Sequence, residues 1–508
     1  MKDIVSVEMM RRADENTISS GVLQFELMER AGRAVFEAVQ EFCGWNGKVA
    51  IVCGTGNNAG DGYVLADLLR KRNVDVTIFL LKEKFSACGE HYFNICKNEN
   101  IKSEVCSSKI VFSSYDIIVD AILGTGFSGK LDEIVKNVIQ EINNSNAKVI
   151  SIDINSGLNG NTGLADFAIK SDLTVSIGSL KSGLILNQAK DYIGTLVNKD
   201  IGIKIKDNPY FLIEKEDVKK IFSKRKNFSN KSDFGYIALV GGCEKYSGAI
   251  RLAEMSNSAM RSGAGVVKVA TIKSLVSNIM SNVLESTIFP LDEIDGMIKF
   301  NKTQFDELIK NTKVVAFGMG IGICEETQKA LEYLLMNFSG TLVIDADGLT
   351  MLSKMDNGVF EKSKAKIVLT PHLKEFSRLT NLSIDEILKN QIALCKEYAS
   401  KTKTIVLLKG PATIVSDGEN VFISNTGCAG MATAGSGDVL SGILAAVLGS
   451  NEPSAFAVAS SAYVNGLAGE VAERESCDVC MVASDTANSV KDAILEILKW
   501  KWLMKLKR

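Results

Sequence analysis

Two series of short apolar segments, each closed by glycine, asparagine or aspartate and followed by a helical stretch, limit what this chain can fold into more than any other feature. In the first half they are "KVAIVCG", "DVTIFLL", "YDIIVDAILGTG", "KVISIDINSG" and "DLTVSIG". In the second they are "YIALVGG", "GVVKVAT", "KVVAFGMGIG", "GTLVIDADGL", "AKIVLTPH" and "TIVLLKGPATIVSDGENVFIS". Strands that alternate with helices pair in parallel through crossover connections, so each half is expected to be a doubly wound α/β domain. Ligands of such sheets bind beyond the carboxyl ends of the strands. The glycine-rich closings are therefore where chemistry is expected.

A chain of 508 residues exceeds what one hydrophobic core supports. The stretch between Phe211 and Gly235 is rich in lysine and lacks a strong period, and it places the domain boundary near residue 220, giving domains 1–218 and 219–508. Ahead of the first strand, apolar residues from Val7 to Phe42 recur at helical spacing, as in Leu27, Met28, Ala31, Ala34, Val35, Ala38 and Val39. The formal net charge of −2 points to no nucleic-acid or membrane partner. The first twenty residues lack the apolar core of a signal peptide, and no run approaches a membrane span, so a cytoplasmic protein is expected. Of 11 cysteines only Cys477 and Cys480 form a C-x-x-C, a weak zinc or redox signal beside the simpler reading of free thiols.

"CGTGNNAGDG" brings the backbone of Gly54, Gly56 and Gly60 to the start of a helix expected near Gly60 or Asp61. Free amides and the positive end of the helix dipole favour an anion there. The spacing differs from the dinucleotide G-x-G-x-x-G, and alone it reads equally well as a tight turn with a cap. Asp120 and Asp153 close the next apolar strands and would lie at the same sheet edge; each is also a good cap residue. Oxygens of Asn58, Asp120 and Ser156 suit a monovalent or divalent cation.

"AGSGDVLSG" is the more specific signal. Gly435, Ser436 and Gly437 expose consecutive amides at a helix N-terminus, an anion hole for a transferring phosphoryl group. Asp438, just inside the helix, is placed to take a proton from an attacking hydroxyl, or is an ordinary first-turn carboxylate. Lys409 closes a strand ahead of a hairpin and is suited to a phosphate. His372 and Glu375 follow another strand, and Asp345 and Asp347 either engage Mg²⁺ or cap a helix.

Together "LMERAG", "GTGNNAGDGYVLA", "DAILGTG", "DINSG" and "DIGI" resemble the NAD(P)HX epimerase domain, a Rossmann-like fold covering residues 1 to about 215. The resemblance implies that Asn57, Asn58, Ala59, Gly60 and Asp61, the segment Gly124, Thr125, Gly126, Phe127, Ser128, Gly129 and Lys130, and the catalytic Asp153 contact hydrated NADH or NADPH. It implies potassium at Asn58, Asp120 and Ser156. Ala59 stands where the family usually has glycine, a mild change if its φ is negative. Asn155 replaces a proline, a change expected to loosen the turn that aims Asp153. Residues from about 225 onward, in "FGMGIG", "DADGL", "TPHLKEF", "KGPATIV" and "NTGCAGMATAGSGDVLSG", resemble the ADP- or ATP-dependent NAD(P)HX dehydratase of the ribokinase-like superfamily. That resemblance implies Ala249, Gly320, His372 and the catalytic Asp438 at the hydrated dinucleotide. It puts Lys409, Gly410, Pro411, Ala412, Thr413 and Gly437 at ADP or ATP, with Mg²⁺. Cys428 and Ser436 stand for the family's asparagine and threonine. The implied activity is repair: epimerisation of the two C6 hydroxyl forms and nucleotide-driven dehydration of one, by a homo-oligomer acting on small molecules.

Two other classes fit parts of the pattern. The second half resembles vitamin-precursor or sugar kinases as well, which would keep a phosphorylated product. The first half resembles non-catalytic scaffold modules, against which its Asp120, Asp153 and Gly/Asn loop argue.

Overall fold

The computed structural model describes residues 1–106, 110–127, 129–222, 224–254, 259–280 and 283–498. The chain divides into two compact units, one of Asp3–Asn208 and one of Met1–Lys2 with Pro209–Arg508.

In the first unit seven parallel strands lie in the order Lys102–Val105, Asp75–Leu80, Lys48–Cys53, Ile117–Ala121, Lys148–Ile152, Ser171–Ile177 and Ile193–Lys199. Alternate residues of the strand Lys48–Cys53 enter opposite cores. Val49, Ile51 and Cys53 pack with Leu27, Ala31 and Val35 of the helix Gln24–Phe42, whereas Ala50 and Val52 pack with Val135, Val138 and Ile142 of the helix Glu133–Asn143. Coverage on both faces is why these strands read as unbroken apolar runs. From Lys48–Cys53 the chain first builds outward to Asp75–Leu80 and Lys102–Val105, then returns to the other side at Ile117–Ala121. A crevice at the carboxyl ends follows from that reversal. Gly54 is required there, because a Cβ would come within 1.9 Å of the Ile122 carbonyl oxygen.

The helical period expected from Val7 to Phe42 proves to be two helices, Val7–Ser19 and Gln24–Phe42. Gly21, at φ +106°, turns the chain between them. Ile4 and Val5 pair in parallel with Leu180 and Lys181, which brings the first of these helices to the open end of the sheet.

The second unit has a sheet in the order Thr287–Leu291, Val266–Ile272, Tyr236–Val240, Val314–Phe317, Thr341–Ile344, Lys366–Leu369, Ile405–Leu408, Thr413–Ser416, Val421–Ser424 and Tyr210–Leu212. Its pairs are parallel except around the hairpin strand Thr413–Ser416. Helix Ser436–Ser450 is buried continuously from Val439 to Gly449, as befits a helix apolar on all sides. The strand Tyr210–Leu212 pairs with Val421–Ser424, and Lys215–Val218 forms a helix closed by a capping box. Residues 209–218 thus lie in the second unit, ten residues ahead of the boundary expected from composition.

Candidate functional site

A cavity of about 450 Å³ opens at the carboxyl end of the first sheet. Asn57, Asn58 and Asp61 reach it from the helix Asn57–Arg70, which begins three or four residues earlier than the glycine spacing suggests, with Gly56 as its N-cap. Gly124, Thr125, Gly126 and Asp153 reach it from the ends of the neighbouring strands. Ala59 and Gly60 do not line it. Ala59 packs into the core with a φ outside the positive region, and Gly60 gives room to Met28, whose Sδ would lie 2.4 Å from a Cβ. Phe127, Gly129 and Lys130 are absent from the lining, and Ser128 lies outside the described residues.

The floor of the crevice is a tight polar knot. The Asp120 carboxylate is fully buried and accepts from the Ser156 amide at 2.9 Å, the Ser156 hydroxyl, the Ser151 hydroxyl at 2.9 Å and the Ile122 amide at 3.2 Å. Burial pushes its pKa up, and those hydrogen bonds oppose the rise. Asn58 donates to the carbonyls of Leu123 and Ile152 at 3.0 and 3.2 Å, which leaves its buried Oδ1 without a hydrogen-bond partner. An orphaned amide oxygen beside a serine hydroxyl and main-chain carbonyls fits a weakly hydrated monovalent cation, so the donor set is compatible with potassium.

Asp153 sits at φ +66°, and Lys181, only 1% exposed, donates to its Oδ1 and to the Ile177 carbonyl. The Ile177 amide adds a donor at 3.3 Å. Asn155 does not loosen this turn. Its amide nitrogen lies 3.0 Å from Ile169 O, Ser171 Oγ and Tyr192 O, and its oxygen accepts from Thr174. Lys181 was not anticipated, although a lone lysine among small and apolar residues in "SIGSLKSGLIL" is a signal for a buried cation that needs a partner. Asp14 was missed too. It follows Val7 and Met10 at helical spacing, on the buried side of the helix Val7–Ser19, and it lines the same cavity.

In the second unit Lys409 lies beside Gly437 and Asp438 at the N-terminus of the helix Ser436–Ser450. Gly435, at φ +94°, is its N-cap, and the Ser436 hydroxyl donates to the Met431 carbonyl at 2.8 Å. A Cβ on Gly437 would lie 3.3 Å from Lys409 Nζ, so the bare backbone leaves the cation beside the helix end. Lys409 Nζ is 2.8 Å from Asp345 Oδ1, and Ser441 donates to Asp345 Oδ2 at 2.8 Å. Burial raises the pKa of Asp345, but Lys409 and Ser441 outweigh it and hold the carboxyl below its ordinary range. Asp438 is different: burial, then the neighbouring Asp345 charge, pushes it up to about 7, with Lys409 opposing.

His372 caps the helix Leu373–Thr380. Its Nδ1 accepts from the amides of Lys374 and Glu375 at 3.1 and 3.2 Å, and Glu375 returns the bond to the His372 amide at 2.8 Å. Desolvation lowers its pKa, so the ring is neutral with its proton on Nε2. Lys409 donates its own amide to Pro371 at 2.8 Å, which puts His372 beside it. Gly320, at φ +57°, would place a Cβ 2.8 Å from that of Ala249, so these two positions touch. Gly318 in the same loop abuts the Asp345 carbonyl, and Asp347 accepts from the Gly322 amide at 2.9 Å. Gly410 and Pro411 are exposed at the hairpin entrance and lead through buried Ala412 to Thr413.

Cys428 is half-buried, its thiol pushed up to about 11 by burial and then by Glu473. Cys477 and Cys480 are exposed free thiols with Sγ atoms 3.1 Å apart. Among the described residues no group of three or more His, Cys, Asp or Glu is arranged to hold a metal ion, and no helix is long and apolar enough to cross a membrane.

Residues 237–491 match the family model described as NAD(P)H-hydrate dehydratase, and residues 24–183 match that described as YjeF-related protein N-terminus. A curated relative from Thermofilum pendens, named bifunctional NAD(P)H-hydrate repair enzyme Nnr, is 34% identical over 472 residues, covering 90% of this chain and 89% of its own. One of the same name from Pyrobaculum aerophilum is 33% identical over 493 residues, covering 94% and 95%. Among solved structures, a ribokinase-like superfamily protein from Enterococcus faecalis aligns with TM-score 0.51 and 23% identity over 58% of this chain and 99% of that one, a likeness of fold.

Proposed function

Because the chain belongs to the bifunctional NAD(P)H-hydrate repair enzymes, we propose that the cavity of its first unit carries epimerisation and that the helix N-terminus at Ser436 carries dehydration. The protein is an isomerase and a lyase: it interconverts the C6 hydroxyl epimers of hydrated NADH and NADPH and restores the dihydronicotinamide from one of them.

One observation carries the assignment of dehydration, namely Asp438, with its pKa near 7, standing one residue after the bare backbone of Gly437 and beside the Lys409 cation. A carboxyl poised near neutrality takes the C6 hydroxyl proton as that oxygen attacks the terminal phosphorus of ADP or ATP. Lys409 and the amides at Gly435 to Gly437 face the charge that builds on the phosphoryl oxygens. The C6–O bond then breaks with its electron pair on phosphate, a C5 proton leaves, and the 5,6 double bond returns. Ala249, Gly320 and His372 line the approach of the hydrated nicotinamide. Lys409 to Thr413 hold the adenine nucleotide at the hairpin. Mg²⁺ is assigned to the nucleotide's phosphates, since Asp345 is taken by Lys409 and Ser441.

In the first unit Asn57 to Asp61 and Gly124 to Lys130 hold the nucleotide, with Asp153 at the ring. Potassium is assigned to Asn58, Asp120 and Ser156, where it would supply a fixed positive charge for the substrate's phosphate side. Eleven free cysteines support a reducing, cytoplasmic location.

The test is to supply the purified protein with each epimer of NADH hydrate, with ADP or ATP, and follow return of dihydronicotinamide absorbance. Consumption of both epimers, one of them only after conversion to the other, is the expected result. Accumulation of a stable phosphorylated hydrate would favour a kinase instead.

A further inference from the structure

We propose that Asp14 and Asp61 form the acid–base pair that removes and restores the C6 hydroxyl during epimerisation, with Asp153 a fixed negative charge beside them rather than a proton carrier. This rests on the assignment of epimerisation to the cavity of the first unit.

Four carboxyl residues line that cavity: Asp14 and the exposed Glu15 from the helix Val7–Ser19, Asp61 from the helix Asn57–Arg70, and Asp153 from the end of Lys148–Ile152. They are not equivalent. Asp153 Oδ1 already accepts from the buried Lys181 Nζ and from the Ile177 amide. The side-chain carboxyls of Asp14 and Asp61 make no hydrogen bond among the described residues, yet both residues line the cavity. Unpartnered carboxyls lining a partly dehydrated cavity are rare unless chemistry uses them. The charged groups around Asp14 are Arg11 and Glu15 on its own helix and Asp61, Asp153 and Lys181 across the cavity. Burial first, and then the Asp153 charge, push Asp14 up to about 6 and Asp61 well above the ordinary carboxylate range. Near neutral pH one of the pair is ionised and the other protonated.

The substrate's chemistry needs such a pair. The protonated carboxyl gives its proton to the C6 oxygen, the C6–O bond breaks with its electrons on departing water, and the N1 lone pair forms an N1=C6 iminium. Water then adds to C6 from either face, the double-bond pair returns to N1, and the added water gives its proton to the carboxylate. Nothing is consumed, and the next turnover runs with the two carboxyls exchanged. The Asp153 carboxylate stabilises the transient cation.

The experiment compares wild type, Asp14→Asn and Asp14→Glu in interconversion of the NADPH-hydrate epimers, in 18O-labelled water and across pH 5 to 9, above the spontaneous rate. Binding of NADP⁺ and the melting temperature are measured alongside. In wild type the label enters at the C6 oxygen with epimerisation, and the rate falls below about pH 6. Asp14→Asn lowers kcat by about 10² to 10³ and loses that acid limb, with the Kd for NADP⁺ within twofold and dehydration unchanged; Asp14→Glu regains part of the rate. Unlabelled product, or a kcat for Asp14→Asn within threefold of wild type, overturns the proposal. So does a tenfold loss of NADP⁺ binding that Asp14→Glu does not relieve, which would make Asp14 a binding residue. Wild-type protein that dehydrates one epimer but never interconverts the two would instead overturn the assignment of the cavity.

Discussion

Lys409 Nζ lies 2.8 Å from Asp345 Oδ1, and this nearly enclosed pair stands directly behind the helix end that Asp438 opens. The lysine holds one carboxyl ionised while the same neighbourhood leaves the other near neutrality. Two aspartates in one site are thereby driven to different protonation states.

The first prediction concerns that pair. Lys409→Met strands the Asp345 charge in the interior, where removing one partner of a buried ion pair costs roughly 3–5 kcal/mol. The variant is expected to lose dehydration and to melt earlier. Because the Asp345 pKa is lowered in the folded protein, its stabilisation is present above the unfolded carboxyl range, near pH 4, and is lost as pH falls through the lower folded value. Denaturant titrations of wild type and Lys409→Met should therefore converge on acidification; a constant gap down to pH 2 would contradict the pairing.

Asp438→Asn is expected to lower dehydration by about 10² to 10⁴ and to leave epimerisation within twofold. Wild-type dehydration should rise with pH through about 7 as the base ionises. The sign for stability is opposite to that of Asp345: a carboxyl whose folded pKa is raised destabilises the fold as pH climbs above its unfolded value, so Asp438→Asn should melt later than wild type at pH 8. Calorimetry and a dehydration assay on the same sample check both halves, and an earlier melt would mean that Asp438 is structurally needed.

Asp153→Ala removes the partner of Lys181, which keeps only the Ile177 carbonyl. Epimerisation should stop, the usable epimer should still be consumed with ADP or ATP, and the first unit should lose stability. Asp153→Ala with Lys181→Met should regain much of that stability without regaining epimerisation, because the uncompensated charge is gone but the site is not restored. Equal melting of the single and double variants would argue that the pair contributes nothing.

Legibility followed local chemistry. The strands could be read because residues such as Val49 to Cys53 face two apolar cores, and the helix ends because Gly54 and Gly435 need bare backbone. What was hidden arises from distant segments meeting. Asp14 reaches the cavity because Ile4 and Val5 pair with Leu180 and Lys181, and Lys409 finds Asp345 across 64 positions of sequence. The start of the helix at Asn57 rather than Gly60 reflects two asparagines tolerated in a first turn, where Asn58 bonds the carbonyls of Leu123 and Ile152 and so gains a tertiary role that local propensity opposes.

The last prediction is where the chain separates. Composition alone places the cut at 218, after the lysine-rich stretch begins, but Tyr210, Phe211 and Leu212 pair with Val421, Phe422 and Ile423, and buried Val218 and Asp217 close a capped helix in the same unit. Expressing 1–218 with 219–508 would therefore remove Tyr210–Leu212 from its pairing, leaving Val421–Ser424 unpaired on that side of the second fragment, an invitation to aggregation. Expressing 1–208 with 209–508 keeps Tyr210–Leu212 with its partner strand Val421–Ser424. We expect the second pair to be soluble, with epimerisation in the first fragment and dehydration in the other, and the first pair to yield less soluble dehydratase. Sedimentation of lysates and separate assays of the four fragments decide it, and equal yields from both cuts would show that the Tyr210–Leu212 strand adds little to the fold.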